Sequence, residues 1–157
     1  MGSLLTILLS IAGLWTAPYN APVTPCQCTC IVSGEDEDIE SVVSRAYAQT
    51  DAIFVGTVSS KHVMEDNTIG ARLSFTLTVD KALKGISTTV VQVRTGKGGG
   101  DCGFDFHIGQ TYLVYAVHGR PGTEIAGQLF TSICSRTVHA RDRQARKDLR
   151  ILRRKMQ

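Results

Sequence analysis

Long apolar segments are absent from this 157-residue sequence, and no stretch is long enough to span a membrane. The one apolar run that stands out is the uncharged twelve-residue stretch Leu4–Trp15, whereas a transmembrane helix needs about 20 residues. Prolines and small residues follow this run at once, which is typical of a secretory signal peptide. We therefore predict a signal peptide over residues 1–21 and a secreted, extracellular protein. A buried N-terminal helix is the alternative.

The sequence also lacks the residue patterns of common enzymes. It contains no recognisable catalytic Ser/His/Asp arrangement and no pair of carboxylates at a position that suggests catalysis. None of its four histidines lies in a recognisable catalytic motif. The segment Gly98–Gly103 formally matches G-x-G-x-x-G, but strand-like residues follow it, so no helix N-terminus is available to bind a phosphate. We therefore predict that the protein is not an enzyme and needs no cofactor.

The Cys-x2-Cys pairing of structural zinc sites is missing as well. The five cysteines are Cys26, Cys28, Cys30, Cys102 and Cys134, and three of them crowd near the start of the predicted mature chain. In an oxidising compartment such cysteines indicate disulfides rather than a metal site. An odd count leaves one cysteine unpaired or bonded to another molecule.

The first 44 residues contain no lysine or arginine, and Arg45 is the first of the basic residues. The net charge of +3 conceals five acids within Glu35–Glu40, and nine basic residues against two acids within Arg136–Lys155. The acidic stretch leads into apolar residues at helical spacing, and acids favour a helix N-terminus. We predict a short helix there. We also predict a basic helix over 138–156, docked by the stripe Ala145, Leu149, Leu152 and Met156.

The middle of the chain predicts β-structure. Residues Arg72–Val79 alternate strictly between apolar and polar side chains, which indicates a half-buried strand. The four other runs with strand signals are Ala52–Val58, Thr88–Thr95, Thr111–His118 and Gln128–Cys134. Five strands separated by turn signals predict an all-β barrel or sandwich.

Five short motifs occur along this region in a fixed order. They are Cys28-Thr29-Cys30, the DAIFVG run 51–56, the KALKG run 81–85, Asp101-Cys102-Gly103 and Ile133-Cys134-Ser135. In order and spacing they resemble the N-terminal, netrin-like domain of the tissue inhibitors of metalloproteinases. The resemblance covers about residues 28–137 and implies a five-stranded OB-fold barrel with flanking helices. We therefore predict a netrin-like domain over 22–137, followed by a basic amphipathic helix over 138–157.

The resemblance also implies disulfides and a function. The implied disulfides are Cys28–Cys102 and Cys30–Cys134, which leave Cys26 unpaired or bonded to another molecule. A shifted pairing that uses Cys26 and Cys28 and leaves Cys30 unpaired is the alternative. The backbone amine and carbonyl of Cys28 would bind the zinc of a target metalloproteinase, and Thr29 would enter its specificity pocket. The other residues implied to contact the protease are Cys30, Ile31, Gly99, Gly100 and Asp101.

The sequence departs from the family pattern at three points. Pro25-Cys26-Gln27 precede Cys28, a third disulfide has no evident cysteines, and the basic helix stands where the family has a second domain. The alternative function is therefore a non-inhibitory extracellular module that contacts matrix or sulfated glycans through its basic tail. We expect neither a nucleic acid nor a membrane among the partners.

Overall fold

A computed structural model describes residues 28–30, 37–65, 71–98, 100–123 and 125–156. The predicted signal peptide, Cys26, Ile31 and Gly99 lie outside the described residues. Within the described ranges, no helix is both long enough and apolar enough to cross a membrane.

Five strands close into a barrel. They are β1 (Ala52–Val63), β2 (Leu73–Lys84), β3 (Val90–Thr95), β4 (Thr111–His118) and β5 (Leu129–Phe130). The strands neighbour one another in the order β1-β2-β3-β5-β4, and β4 also pairs with β1, which completes the ring. A sixth strand, β6 (Val138–His139), pairs with β4. The predicted all-β, OB-like barrel of five strands with two flanking helices is confirmed.

Strand β4 is buried on both of its faces. Tyr112 and Val114 belong to the core inside the barrel, together with Phe75 of β2. Leu113 and Tyr115 belong to a second core, which lies between the outside of the barrel and the helices. Successive side chains of a strand point to opposite faces, so a strand between two cores is apolar at consecutive positions. This explains why Thr111–His118 shows no alternation.

Helix α1 (Ile39–Gln49) forms where the acidic stretch predicts a helix. Asp38 is its N-cap, and its carboxylate accepts a hydrogen bond of 3.1 Å from the backbone N–H of Ser41. Val43 is fully buried in the second core. At the other end, Lys84 Nζ donates to the carbonyl of Tyr47 at 2.6 Å, which places a cation at the helix C-terminus.

The fifth strand is much shorter than the predicted run Gln128–Cys134. Only Leu129 and Phe130 pair as a strand. The N–H of Thr131 still donates to the carbonyl of Arg94 at 3.0 Å, and the chain then turns at residues 132–135, where the N–H of Ser135 donates to the carbonyl of Ser132 at 3.1 Å. The prediction of a strand as far as Cys134 was therefore wrong, since a turn diverts this segment.

The C-terminal helix α2 (Arg143–Lys155) begins five residues later than predicted, because Val138 and His139 form β6. Ala145 and Leu152 are fully buried, as the predicted stripe requires. Two parts of that prediction were wrong. Met156 is 49% exposed, and Ile151, outside the stripe, is buried.

The most consequential buried residue of α2 is an acid, Asp148. Its side chain is 0% exposed, and its two oxygens accept hydrogen bonds of 2.9 and 2.8 Å from Nε and Nη2 of Arg136. The hydroxyl of Tyr115 donates to the same carboxylate at 3.0 Å. Burial and the negative charge of Asp148 raise the pKa of Tyr115, and the hydrogen bond to Asp148 raises the pKa of Arg136. The carboxylate thus holds α2, β4 and the segment after Cys134 together.

We expect Asp148→Asn to lower the free energy of unfolding by about 3 kcal/mol, because it leaves the Arg136 charge without its partner in a largely buried place. Asp142→Asn is the matched control. Asp142 lies at the exposed N-cap of the same helix and makes no side-chain capping bond, so its replacement should change stability by less than about 0.5 kcal/mol. Urea unfolding at neutral pH measures both values. Equal losses in the two variants would contradict the role given to Asp148.

Candidate functional site

The tripeptide Cys28-Thr29-Cys30 is cross-linked to two distant parts of the barrel domain. Cys28 forms a disulfide with Cys102, and Cys30 forms one with Cys134. These are the pairs that the resemblance implies. They bring residues 74 and 104 positions apart to Cα–Cα distances of 5.2 and 5.1 Å. Between them, Thr29 is exposed to solvent. The tripeptide is thus fixed at both ends, while its central side chain is free to contact a partner.

The two disulfides lie side by side. The sulfur atoms of Cys28 and Cys134, which belong to different disulfides, are 3.8 Å apart. The sulfurs of Cys28, Cys102 and Cys134 all lie within 4.8 Å of one another, which is close enough to suggest a metal site. A metal needs thiolates, however, and each of these sulfurs is already bonded to another sulfur. The cluster is therefore a pair of adjacent disulfides.

A glycine-rich loop before Cys102 is organised by the carboxylate of Asp101. Its two oxygens accept hydrogen bonds from the backbone N–H groups of Lys97 at 2.8 Å, Gly98 at 2.8 Å and Gly103 at 3.1 Å. A Cβ on Gly96 would lie 2.4 Å from Oδ1 of Asp101, so a side chain there would displace the carboxylate. The described glycines of the G-x-G-x-x-G pattern, Gly98, Gly100 and Gly103, therefore lie in a loop that folds around an aspartate.

The direction of the Asp101 side chain refines its expected role. The resemblance places Gly99, Gly100 and Asp101 beside the tripeptide, and Cys102 carries this loop to Cys28 through the disulfide. Partial burial of Asp101 disfavours its charged form, but the backbone hydrogen bonds outweigh burial and lower its pKa. Because the carboxylate accepts these bonds from its own loop, Asp101 helps to fix the conformation of the loop.

The backbone of Cys102 joins this loop to the segment that carries Cys134. Cys102 has a φ of 59°, a left-handed conformation that residues other than glycine, asparagine and aspartate seldom adopt. In this conformation its carbonyl accepts a hydrogen bond of 2.9 Å from the N–H of Ile133. Ile133 is 52% exposed, so its side chain lies at the surface next to the two disulfides. We call residues 28–30, 100–102 and 133–134 together the disulfide edge.

Hydroxyl groups hold the segment that follows β5. Thr131 Oγ1 donates to the carbonyl of Tyr115 at 2.9 Å, and it lies 2.7 Å from the hydroxyl of Thr137. Ser135 Oγ donates to the carbonyl of Ser132 at 2.7 Å. Cys134 lies inside this bonded segment, so its sulfur is presented to Cys30 from a fixed backbone. Sequence reasoning did not identify these residues, because the T-S-I-C-S-R-T run resembles a polar strand.

No protein-family model matches this chain, and no curated protein matches its sequence significantly. The fold nevertheless defines a structural class, which is a disulfide-linked OB-like β-barrel with two flanking helices.

We expect Asp101→Asn to reduce the free energy of unfolding by about 1 kcal/mol at pH 7, because an amide NH2 would face one of the backbone donors. The pKa of Asp101 is lowered in the folded state, so its stabilisation is present above the unfolded pKa of about 3.9 and is lost as pH falls through the lower folded value. The difference between the native protein and the variant should therefore shrink in acid.

Asp105→Asn provides the control for this measurement. The Asp105 side chain is 85% exposed and contacts His107 at 3.3 Å rather than backbone N–H groups. Chemical unfolding of both variants between pH 3 and pH 7 measures the effect. A loss that is equal at Asp105, or one that grows as the pH falls, would contradict the role given to Asp101.

Proposed function

We propose that this protein is a secreted inhibitor of zinc metalloendopeptidases that acts through the backbone of Cys28. The observation that carries the proposal is the tripeptide Cys28-Thr29-Cys30, which is anchored by disulfides on both sides of an exposed Thr29. The resemblance to the tissue inhibitors of metalloproteinases also supports it, because the motifs that carry the resemblance include the cysteines that are joined here.

The chemistry requires a free amine at Cys28. A catalytic zinc keeps one coordination position open for water, and an uncharged amine with its neighbouring carbonyl can occupy that position. An α-amine has a pKa of about 8, so an uncharged fraction is present at neutral pH. The sulfur of Cys28 is held in a disulfide, which leaves the amine and the carbonyl as the ligands that this residue can offer. Processing between Gln27 and Cys28 is therefore part of the proposal.

The rigidity of the disulfide edge supports tight binding. A segment that is already held in one conformation loses little conformational entropy when a partner binds it. Thr29 is the side chain that would enter the specificity pocket of the protease, while Cys30 and Ile31 would continue along the cleft. Gly99, Gly100 and Asp101 would flank this segment, because the disulfide between Cys102 and Cys28 joins their loop to it.

The identity of the first residue decides between inhibition and its alternative. A chain that begins at Cys28 should inhibit metalloproteinases, whereas a chain that begins at Gln27 should bind about 100-fold more weakly, because its zinc ligand becomes an amide. Acetylation of the chain that begins at Cys28 should have the same effect. Inhibition constants against a broad panel of metalloproteinases measure this, and non-reducing peptide mapping confirms that both chains form both disulfides.

A chain that begins at Cys28, carries both disulfides and inhibits no member of the panel would refute the proposed function. Equal inhibition by the chain that begins at Gln27 would refute the zinc-binding amine. A natural protein that retains Pro25-Cys26-Gln27 would instead be the non-inhibitory extracellular module, since its Cys28 amine is blocked.

Thr29→Gly tests the side chain between the two disulfides. It should weaken inhibition by about tenfold, because an empty specificity pocket loses the burial of one small side chain. Thr89→Gly is the control, since Thr89 is an exposed threonine in the turn before β3, away from the disulfide edge. Inhibition constants for the two variants give the comparison. Equal effects would show that Thr29 does not enter the pocket.

A further inference from the structure

Helix α2 presents a dense band of positive charge to solvent. Seven cations on this helix are exposed, and six of them share one side of it: Arg143, Arg146, Lys147, Arg150, Arg153 and Arg154. With 3.6 residues per turn, these positions fall within an arc of about 120°, opposite the buried residues Ala145, Asp148 and Leu152. We call this set the basic face. The seventh exposed cation, Lys155, lies outside this arc.

Most of this charge is not neutralised by the parts of the chain that the structure describes. Among the described residues, a carboxylate lies within ion-pair distance of only one member of the basic face, where Arg154 contacts Glu40 at 3.3 Å. Arg146 donates to the carbonyl of Arg141, a neutral acceptor. The acid nearest in sequence to most of the basic face, Asp148, is buried and engaged by Arg136. The cations therefore repel one another, by a few tenths of a kcal/mol for each i,i+4 pair.

We propose that the basic face binds a linear sulfated glycan. At a rise of 1.5 Å per residue, the face extends about 16 Å along the helix, which suits an elongated polyanion. Five of its six cations are arginines, whose planar guanidinium groups match tetrahedral oxyanions through two parallel hydrogen bonds. Arg146, Arg150 and Arg153 also line one depression beside Leu149, which gathers three of the cations around one surface site.

The same helix disfavours two other polyanions. Proteins that hold single-stranded nucleic acids stack bases on aromatic side chains, and residues 141–157 include no aromatic residue. A helix that binds a membrane surface inserts its apolar side into the lipid, but Ala145, Ile151 and Leu152 are already buried against the barrel. The disulfides are also typical of proteins in oxidising, extracellular surroundings.

The basic face shares no residue with the disulfide edge. It could therefore retain the protein on a glycan while the edge contacts a protease. The glycan proposal does not depend on the proposed inhibition, and neither result predicts the other.

The test neutralises three cations rather than deleting the helix, because removing α2 would also remove Asp148 and the buried residues of the second core. The variant combines Arg146→Gln, Arg150→Gln and Arg153→Gln. Its matched control combines Lys61→Gln, Lys81→Gln and Arg120→Gln, which remove the same charge from exposed positions on β1, on β2 and after β4. Thermal unfolding and protease inhibition should stay close to those of the native protein in both variants.

Calorimetric titration with heparin at 0.15 M salt provides the main measurement. Loss of three exposed charge contacts should weaken binding by about tenfold in the basic-face variant and by less than twofold in the control. Native binding should weaken steeply as salt rises, and the variant should show a shallower dependence. Desulfated heparin should bind much more weakly than heparin itself.

Three results would overturn the proposal. Equal weakening in the two variants would show that net charge alone attracts heparin. Equal binding of heparin and desulfated heparin would show that the basic face does not prefer sulfate groups. Tighter binding to single-stranded DNA, or to vesicles that contain phosphatidylserine, than to heparin would assign the basic face to a different partner.

Discussion

The ion pair between Asp148 and Arg136 is the interaction on which both proposed surfaces depend. It fixes α2 on the barrel, so it sets the side on which that helix exposes its cations. Arg136 also lies two residues after Cys134, which brings the second disulfide close to the same anchor. A buried ion pair contributes little net stability compared with apolar packing, but losing one partner is costly. Here the ion pair contributes to position instead, since the carboxylate of Asp148 determines where the basic face and the disulfide edge lie.

The fold was largely predictable because the sequences of most strands show directly which side chains are buried. Residues 73–79 alternate, since one face of β2 lies in the barrel core, and Lys84-Gly85 marks the end of that strand. The length of β5 was not predictable, because side-chain hydroxyls and a turn replace its strand pairing after Phe130. The burial of Asp148 was not predictable for a related reason. An acid on a basic helix gives no sequence signal of burial, and its partner Tyr115 is 33 residues away.

The candidate site was predictable only in part. The cysteine count indicates disulfides but leaves the pairing open, and the pairs found here were implied by a family resemblance rather than by spacing. The loop before Cys102 is a different case. Its glycines suggest a tight turn, yet the role of Asp101 depends on three backbone N–H groups that converge only in the folded loop. A sequence pattern cannot show such convergence, because it lists side chains and not the directions of backbone donors.

Closure of the barrel by β1 and β4 has a kinetic consequence. The hydroxyls of Thr57 and Thr111 meet at 2.9 Å across this pair, although the two residues are 54 positions apart in the chain. The β1–β2 pairing joins consecutive strands, so the entropy of closing its loop is smaller. Domains dominated by such distant contacts fold in milliseconds to seconds rather than microseconds. We therefore expect the β1–β2 ribbon to form early and the arrival of β4 to limit the folding rate.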